Sequence, residues 1–355
     1  MSGGVDSAVT ALRLIGEGRS LETATARLWP GSDRRSCCSP GALQRAARTA
    51  AQLGVPHHVL DLEAEFEDVV VAPFQAGYLG GETPNPCVDC NPMRLAALVG
   101  LADELGLARL ATGHYARLEW RDGEPFVARA VDRGKDQSYM LWAVPAEVLA
   151  RLEFPLGELD KVAVRALATE AGLEVADEPE SQEVCFAVDG YQEFLAARGV
   201  QPVEGDVVDG SGAVLGHHQG HWRYTVGQRR GIGVSAAEPL YVLERRAAEN
   251  EVVVGGRERL ETRSLRVRDV VDRGLGDGSG LLVQLRYRSA PVAVAAITRE
   301  AGGGLEVALG EPFAGVAPGQ AAVFYRDDLV VGGGRVAGPP GRTRYDTLRS
   351  STGGI

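Results

Sequence analysis

Helical stretches alternate with short apolar runs over roughly the first 115 residues, and this alternation constrains the fold more than any other feature. The stretches 8–15, 41–53 and 92–105 have helical spacing, whereas HHVLDL at 57–62 and RLATGHY at 109–115 indicate strands. Strands that alternate with helices favour an α/β domain built on a parallel sheet. A further helical region follows, and its KVAVRALATEAG segment is predicted to end at Gly172.

Beyond about residue 203 the sequence becomes β-rich and is punctuated by glycine. Its apolar runs include DVVDGSGAVLG, YVLERR, EVVVGG, LLVQLRYRS, VAVAAIT and AAVFYRDDLVVGGGRV. Short strands at regular spacing with turn signals predict one small β unit followed by a barrel or sandwich. The final stretch, 339–355, is polar and rich in Pro and Gly, so we expect a disordered tail.

Composition limits the compartment and the partners. The chain has no apolar run long enough to span a bilayer and no basic start followed by an apolar segment, so we expect a cytoplasmic protein with no membrane partner. Five cysteines in a reducing compartment indicate thiol chemistry or a metal. The net charge is −11, yet residues 221–300 hold fourteen Arg against ten acidic residues, which allows a basic face in this half.

The segment Ser2–Ser7, SGGVDS, leads directly into the helical pattern AVTALRLIG. Backbone N–H groups, two glycines, two hydroxyls and a helix N-terminus together suit an anion such as pyrophosphate. No Lys precedes the final Ser, so the segment is not a GxxxxGK[ST] loop. The alternative is a Ser-capped helix that follows a glycine turn.

This hexapeptide resembles the loop of the N-type ATP pyrophosphatases, which adenylate a carbonyl oxygen. The motifs that follow are similar, in order and spacing, to those of the tRNA-specific 2-thiouridylases. They are SCCSP at 36–40, TPNPCVDCN at 83–91, ATGHYAR at 111–117, GKDQSYML at 134–141, ESQEVCF at 180–186, GHHQGHWRYTVGQRRGIGV at 216–234, LRYRS at 285–289, PGQAAVFY at 318–325 and VVGGGRV at 330–336. The resemblance covers nearly the whole chain to about residue 336.

The resemblance implies a fold in three parts. Residues 1–193 would form an ATP pyrophosphatase domain, a doubly wound parallel α/β sheet of the adenine nucleotide alpha hydrolase type. Residues 194–258 would form a small β-rich domain, and residues 259–338 a C-terminal β-barrel that binds tRNA. Family members have an apolar strand before the loop, so we expect that this sequence starts at an internal Met and lacks the first strand of the sheet.

The resemblance also implies the reaction: ATP-dependent 2-thiolation of the wobble uridine, with release of AMP and pyrophosphate. ATP, with Mg²⁺, would be held by Ser2, Gly3, Gly4, Val5, Asp6 and Ser7, together with Ala26 and Gly113. Asp6 is counted among the catalytic residues. Ala26 stands where many members have Met, so its contact with the nucleotide carries less weight.

Two cysteines carry the implied sulfur chemistry, Cys90 as nucleophile and Cys185 as carrier of a persulfide. A thiolate is both a nucleophile and a sulfur acceptor, and we expect Cys90 to precede a helix that is capped by Asn91 and starts at Pro92, which would favour its thiolate. The alternative for either cysteine alone is an inert buried thiol. An iron–sulfur cluster on Cys87, Cys90 and Cys185 is a second possibility. No other metal site is predicted, although the spacing of His217, His218 and His221 leaves a metal open.

The partners implied by the resemblance are tRNAs for Lys, Glu and Gln and a sulfur donor, either a cysteine desulfurase or a sulfur-relay protein. The positions implied to contact tRNA are Asn85, Pro86, Cys87, His114, Lys135, Asp136, Gln137, Arg286, Tyr287 and Gln320. Asn85, Pro86 and Cys87 would face the target base. The chain holds 35 Arg but only two Lys, so Lys135 marks a position where a compact ammonium is needed near phosphate, or else an ordinary exposed lysine.

Two other functions stay open at this stage. One is an adenylating enzyme with the same loop that acts on a small molecule, against which the cysteine pair and the basic half argue. The other is an inactive tRNA-binding remnant, suggested by the absence of the first strand. Cys37 and Cys38 are given no role.

Overall fold

The structure is a computed structural model, and it describes residues 1–29, 39–178 and 184–338, to which every element and count below refers. The expected tail at 339–355, as well as Cys37 and Cys38, lie outside these residues.

The N-terminal part is an α/β unit. Its helices are α1 (Val5–Gly16), α2 (Pro40–Gln52), α3 (Glu63–Phe66), α4 (Ala72–Leu79), α5 (Pro86–Glu104), α6 (Ala146–Leu149), α7 (Lys161–Glu170) and α8 (Tyr191–Ala197), with a π-helical turn at Glu67–Val71 between α3 and α4 and a 3₁₀ turn at Ser138–Met140. Its parallel strands are β1 (Thr23–Arg27), β2 (His57–Asp61), β3 (Leu110–Ala111) and β6 (Leu152–Glu153). These strands pair in parallel as β1 with β2 and β3 with β6. The expected α/β class is confirmed.

A hairpin of β4 (Ala116–Arg121) and β5 (Glu124–Arg129) leaves this unit and joins the C-terminal sheet, where Ala128 pairs with Leu329. This hairpin was not predicted from the sequence. It follows the strand β3 in the chain. The chain therefore leaves the α/β part after β3, pairs with the C-terminal sheet and then returns to the α/β part at α6.

The middle part is a four-stranded sheet in the order β8-β7-β10-β9. Its strands are β7 (Gly205–Val208), β8 (Val214–His218), β9 (Tyr241–Arg246) and β10 (Glu251–Gly255), and 3₁₀ turns occupy His221–Arg223 and Arg257–Leu260. Val207, Val242, Val252 and Val254 are buried and form its core with Tyr224. The small β unit expected after residue 203 is therefore present.

The C-terminal part is a closed barrel. Its strands are β11 (Glu261–Asp272), β12 (Leu282–Gln284), β13 (Val292–Arg299), β14 (Leu305–Ala314), β15 (Ala321–Arg326) and β16 (Leu329–Val336). The order is β11-β14-β13-β12-β15-β16, and β16 pairs back with β11, which closes six strands and removes the free edges. Alternating apolar residues of these strands fill the interior. The predicted barrel is confirmed.

One apolar core is shared between the α/β part and the barrel. Val88 and Leu95 of α5 and the buried Trp142 pack in the same cluster as Val323 and Tyr325 of β15. Within the described ranges, no helix is both long enough and apolar enough to cross a membrane.

Candidate active site

The segment Ser2–Ser7 forms a tight turn at the start of α1. The backbone N–H of Ser2 donates to the Ser7 Oγ at 3.0 Å, and that hydroxyl donates to the Gly4 carbonyl at 3.0 Å. Gly3 has φ +74°, and a Cβ there would lie 2.4 Å from the carbonyl oxygen of Ala42, so only glycine fits. Gly4 is the N-cap and has no side chain to occupy the first-turn N–H groups of α1. The turn therefore has the form of an anion site.

Gly113 and Asp6 meet at this turn. A Cβ on Gly113 would lie 2.9 Å from the carbonyl carbon of Asp6 and 3.0 Å from the backbone N of Ser7, so glycine lets the end of β3 approach α1. The Asp6 carboxylate accepts a hydrogen bond from the Tyr115 hydroxyl at 2.9 Å. The Lys161 ammonium donates to both oxygens of the same carboxylate, at 2.7 and 2.8 Å.

Ala26 lies near the end of β1, paired with Leu60 of β2, and is partly buried against the aromatic cluster. We use the name aromatic cluster for the core around Leu28, Phe66, Phe74, Phe186 and Trp222. Cys90 and Cys185, which are 95 positions apart in sequence, also pack against it and are half-buried. The structure thus brings the two predicted sulfur-handling residues and one predicted nucleotide contact to a single apolar surface.

The helix that carries Cys90 starts earlier than the sequence analysis predicted. Asn85 is its N-cap, since its Oδ1 accepts from the Cys87 N–H at 3.1 Å, and Pro86 is the first helical residue. Cys90 therefore lies inside α5, and Pro92 falls in the helix interior. The predicted cap at Asn91 is wrong, because Asn85 with Pro86 supplies a cap and first residue six positions earlier. Cys87, which is exposed, is the thiol in the first turn of α5, where the helix dipole acts most strongly.

Asn91 has a different role from the one predicted. It is buried, its Nδ2 donates to the Met140 carbonyl at 3.0 Å, and its Oδ1 accepts from Arg94 at 2.8 Å. Asn85 also reaches Met140, with its Nδ2 3.2 Å from the sulfur. Pro86, the residue after this N-cap, is buried. The start of α5 is thus tied to the segment 134–141.

His114 follows Gly113, and its Nδ1 lies 2.8 Å from the Thr112 hydroxyl. Burial, and after it the charge of Arg94, lowers the pKa of His114 to about 3. Its imidazole is therefore neutral at physiological pH and can only offer a hydrogen bond, not a positive charge, to a bound ligand.

The segment Lys135–Gln137 is organised by hydrogen bonds within the protein. Asp136 is nearly buried, with its side chain 6% exposed, and its carboxylate accepts from the backbone of Ala130 and Ser138 and from Arg129. Gln137 exchanges two bonds with the backbone of Tyr115, at 2.8 and 2.9 Å. Lys135 is half-buried. Asp136 and Gln137 thus fix the conformation of the segment that carries Lys135.

Residues of the two β parts hold the segment that leads into α5. Arg245 of β9, which is buried, donates to the Glu82 carbonyl at 2.6 Å and to the Thr83 hydroxyl at 3.1 Å. Arg268 of β11 contacts both oxygens of the Glu82 carboxylate at 2.8 Å. Arg335 of β16 pairs with Asp89, one residue before Cys90. We call Arg245, Arg268 and Arg335 the arginine clamp.

Asp89 shows how this pairing balances burial. Burial is the largest effect and raises the pKa of its carboxyl, whereas the charge and hydrogen bond of Arg335 act in the opposite direction. The guanidinium thus offsets part of the desolvation cost of a carboxylate that lies between the two cysteines of α5.

A cleft of about 390 Å³ opens where the three parts meet. Its lining residues are Thr83, Thr225, Val226, Gly227, Gln228, Arg286, Ala317 and Gln320. Arg286 is exposed and donates to the Gly315 carbonyl at 2.7 Å, while the Gln320 side chain donates to the Thr83 carbonyl. Tyr287 packs beside Tyr139, with ring centroids 6.0 Å apart. Two of the predicted tRNA contacts, Arg286 and Gln320, therefore share one cleft with the segment before Asn85.

Sequence reasoning missed Lys161 and the arginine clamp. The scarcity of lysine was a usable signal for Lys161, because only two occur in the chain. No comparable signal marks the clamp residues among 35 arginines. As for metals, the described residues contain no group of three or more His, Cys, Asp or Glu arranged to hold one, so the three thiols do not form a cluster ligand set as placed.

Comparisons with known proteins agree with this arrangement. The sequence model described as tRNA methyl transferase HUP domain matches residues 1–189, the tRNA methyl transferase PRC-barrel domain matches 192–256, and the aminomethyltransferase beta-barrel domain matches 277–336.

Similar curated proteins match along nearly the whole chain. A bifunctional NifU/MnmA protein of Rubrobacter xylanophilus is 49% identical over 95% of this chain and 69% of its own length. The tRNA-specific 2-thiouridylases MnmA of Geobacter metallireducens and Acidithiobacillus ferrooxidans are 44% and 43% identical, over 94% and 95% of this chain and 94% and 97% of their own lengths. The chain therefore belongs to the tRNA-specific 2-thiouridylase family.

Proposed function

We propose that this protein uses ATP to activate the wobble uridine of tRNA and replaces its 2-oxygen with sulfur. The observation that carries the proposal is the shared position of Ala26, Cys90 and Cys185 on the aromatic cluster. A predicted nucleotide contact and two thiols packed against one cluster suit a reaction that needs adenylation and sulfur transfer in the same place. The matching HUP and PRC-barrel domain models carry the name of a tRNA methyl transferase, but the loop at Ser2–Ser7 and the two thiols fit the 2-thiouridylase activity for which the curated relatives are named better.

ATP would bind with its phosphates at the turn Ser2–Ser7 and its adenosine towards Ala26 and Gly113. The glycines admit phosphate oxygens close to the backbone, and the N-terminus of α1 favours the negative charge. Asp6 is the carboxylate at the turn that would hold Mg²⁺ beside the phosphates, since Mg²⁺ is bound through one or two carboxylates and phosphate oxygens. The uridine 2-oxygen attacks the α-phosphorus, which releases pyrophosphate and leaves an adenylate.

Sulfur would then pass from Cys185, which holds it as a persulfide. The terminal sulfur attacks C2 of the adenylated uridine, directly or after release as hydrosulfide, and AMP leaves. In the direct route the Cys90 thiolate attacks the inner sulfur of Cys185, which breaks the sulfur–sulfur bond and frees the 2-thiouridine. The products include a Cys90–Cys185 disulfide, so each turnover consumes a thiol reductant.

The cleft at Arg286 and Gln320 would take the tRNA backbone, with Lys135 and Tyr287 as further contacts and Asn85, Pro86 and Cys87 towards the base. The exposed Arg286 and the basic composition of residues 221–300 support this side of the proposal. The persulfide sulfur would come from a cysteine desulfurase or a sulfur-relay protein in the cytoplasm. An iron–sulfur cluster at Cys87, Cys90 and Cys185 is the competing sulfur chemistry that the disulfide experiment in the Discussion tests.

The first prediction concerns the products. With tRNA and a sulfur donor, the protein should yield AMP and pyrophosphate from ATP together with 2-thiouridine in the tRNA. Asp6→Asn should lower both yields at least about tenfold, because it removes the carboxylate that would hold Mg²⁺ beside the phosphates. Arg48→Met, an exposed change on α2, is the control. Chromatography of the nucleotides and mass spectrometry of the nucleosides measure the outcome, and formation of ADP with phosphate would contradict the mechanism.

A further inference from the structure

Lys161 places an ammonium against the phosphate turn. Its Nζ lies 2.7 and 2.8 Å from the two carboxylate oxygens of Asp6, and its side chain is only 11% exposed. The same ammonium lies 5.6 Å from the centre of the Tyr115 ring, whose hydroxyl donates to Asp6. The Asp6 side chain is 33% exposed, so the ammonium is largely shielded from water while its carboxylate partner stays accessible from the solvent side.

The location of Lys161 in α7 runs against the electrostatics of that helix. It is the first residue of α7, after the N-cap Asp160, and a cation at a helix N-terminus is unfavourable. The chain elsewhere uses arginine almost exclusively, yet it has lysine here. A compact ammonium with three donors suits a phosphate oxygen as a point charge, whereas the guanidinium is a planar fork. The contact with Asp6 in the turn Ser2–Ser7 therefore explains a lysine at position 161, whereas the electrostatics of α7 do not.

Two carboxylates fix the backbone from which Lys161 extends. Asp160 Oδ1 accepts from the Ala163 N–H at 2.7 Å, and Asp132 Oδ2 accepts from the Lys161 N–H at 3.1 Å. The start of α7 is therefore anchored on both sides. The long side chain of Lys161 crosses from this anchor to α1 without needing the helix to move.

Asp6 gives the electrostatic reason for the pairing. Its carboxylate in the first turn of α1 adds a negative charge exactly where a polyphosphate would bind, and the turn Ser2–Ser7 contains no cation. Unless it is compensated, this charge would repel the nucleotide. Lys161 supplies the compensating charge from another helix.

We propose that Lys161 is a phosphate-binding residue, whose ammonium bridges Asp6 and the phosphate oxygens of the bound nucleotide. This inference rests on the proposed function, since it assigns a residue to the same ATP site. It gives the turn the cation that a GxxxxGK[ST] loop carries within its own sequence.

The test is equilibrium binding, without tRNA, of ATP, inorganic pyrophosphate and adenosine. Lys161→Met should weaken ATP and pyrophosphate at least about tenfold, the loss expected for a hydrogen bond to a charged group, and leave adenosine unchanged. Lys161→Arg should recover part of the affinity for pyrophosphate. Arg48→Met, which removes an exposed cation from α2, should bind all three like the wild type.

The outcomes separate this inference from the proposed function. A wild type that binds neither ATP nor pyrophosphate would overturn the proposed ATP site, and this inference with it. A wild type that binds both, with Lys161→Met binding them equally well, would overturn the role of Lys161 alone. Lys161→Met could fail to fold because Asp6 loses its partner. In that case the double variant, with both Asp6→Asn and Lys161→Met, is compared with the single variant Asp6→Asn. The double variant must then bind pyrophosphate more weakly than the single one, and equal binding would refute the inference.

Discussion

At the scale of single residues, a motif can name a candidate residue but cannot name the spatial neighbours on which its chemistry depends. Gly3 and Gly113 are required by close backbone contacts, and both lie in motifs that the sequence displays. Lys161 is 155 positions from Asp6, and nothing in its own segment, KVAVRALATEAG, indicates a phosphate site. Its proposed role depends on the packing of α7 beside α1, which a linear pattern does not contain.

The residue-scale prediction concerns Cys90 and Cys185. Cys185→Ser should fail to take up sulfur, whereas Cys90→Ser should take it up but lower the yield of 2-thiouridine at least about a hundredfold, as loss of a nucleophile in covalent catalysis does. Both variants should bind tRNA like the wild type. Cys87→Ser keeps a small polar side chain towards the base and should retain the reaction, because the disulfide route uses no third thiol.

Peptide mapping after one turnover without reductant measures the intermediate directly. The Cα atoms must come within about 4.4 to 6.8 Å for the 90–185 disulfide to form. Thiolation that proceeds without this disulfide, together with loss of activity in Cys87→Ser, would refute the release step and favour the iron–sulfur chemistry.

At the scale of elements, the types of helix and strand were predicted better than their limits. The helix start at Pro92 was wrong, because both Asn85-Pro86 and Asn91-Pro92 have the cap-and-proline pattern and the sequence alone does not decide between them. The contacts of Asn91 and Asn85 with Met140 decide the matter in the structure. The β4–β5 hairpin was missed because its short strands are only partly buried and so show no clear apolar alternation. These strands pair with each other along their length, and β5 contacts β16 of the barrel through Ala128 and Leu329.

The element-scale prediction concerns the pairing of Arg335 with Asp89 at the start of α5. Arg335→Met should lower the free energy of unfolding by about 1–3 kcal/mol, between the values for exposed and buried pairs. Because the pair precedes Cys90 by one residue, the variant should also slow sulfur release more than it weakens ATP binding.

Denaturant unfolding and single-turnover thiolation measure these two effects. Arg335→Lys should restore part of both, and Arg266→Met, a more exposed barrel arginine paired with Glu300, should change neither. An Arg335→Met protein with normal stability and normal sulfur release would show that the arginine clamp does not position α5.

At the scale of the whole molecule, the class of each part was predictable but the contacts between parts were not. Alternation of helices and strands predicted the α/β part, and regular short strands predicted the barrel. The arginine clamp joins positions separated by more than 160 residues, such as Arg245 with Glu82. Contacts of this kind form between separately folded parts of the chain, so no local sequence pattern predicts them.

The whole-molecule prediction concerns tRNA binding. Arg286→Ala should weaken tRNA binding and make the salt dependence shallower by about one released counterion, because a phosphate contact is lost. Filter binding over a range of salt concentrations measures both quantities. Arg299→Ala, on the outside of β13 and paired with Asp272, is the control. Equal affinity and equal slope for Arg286→Ala and the wild type would place the tRNA elsewhere.

The core shared by α5 and β15 has a consequence for how this protein can change over time. Trp142 and Tyr139 pack with Ala321, Val323 and Tyr325. Residues of the barrel therefore form part of the buried core of the α/β part. Gly333 enforces the fit, since a Cβ there would lie 2.6 Å from the Trp142 ring. A barrel of this kind is not an exchangeable module: recombination that brought in a foreign barrel would leave apolar surface of the α/β part uncovered. The α/β part and the barrel must be inherited together.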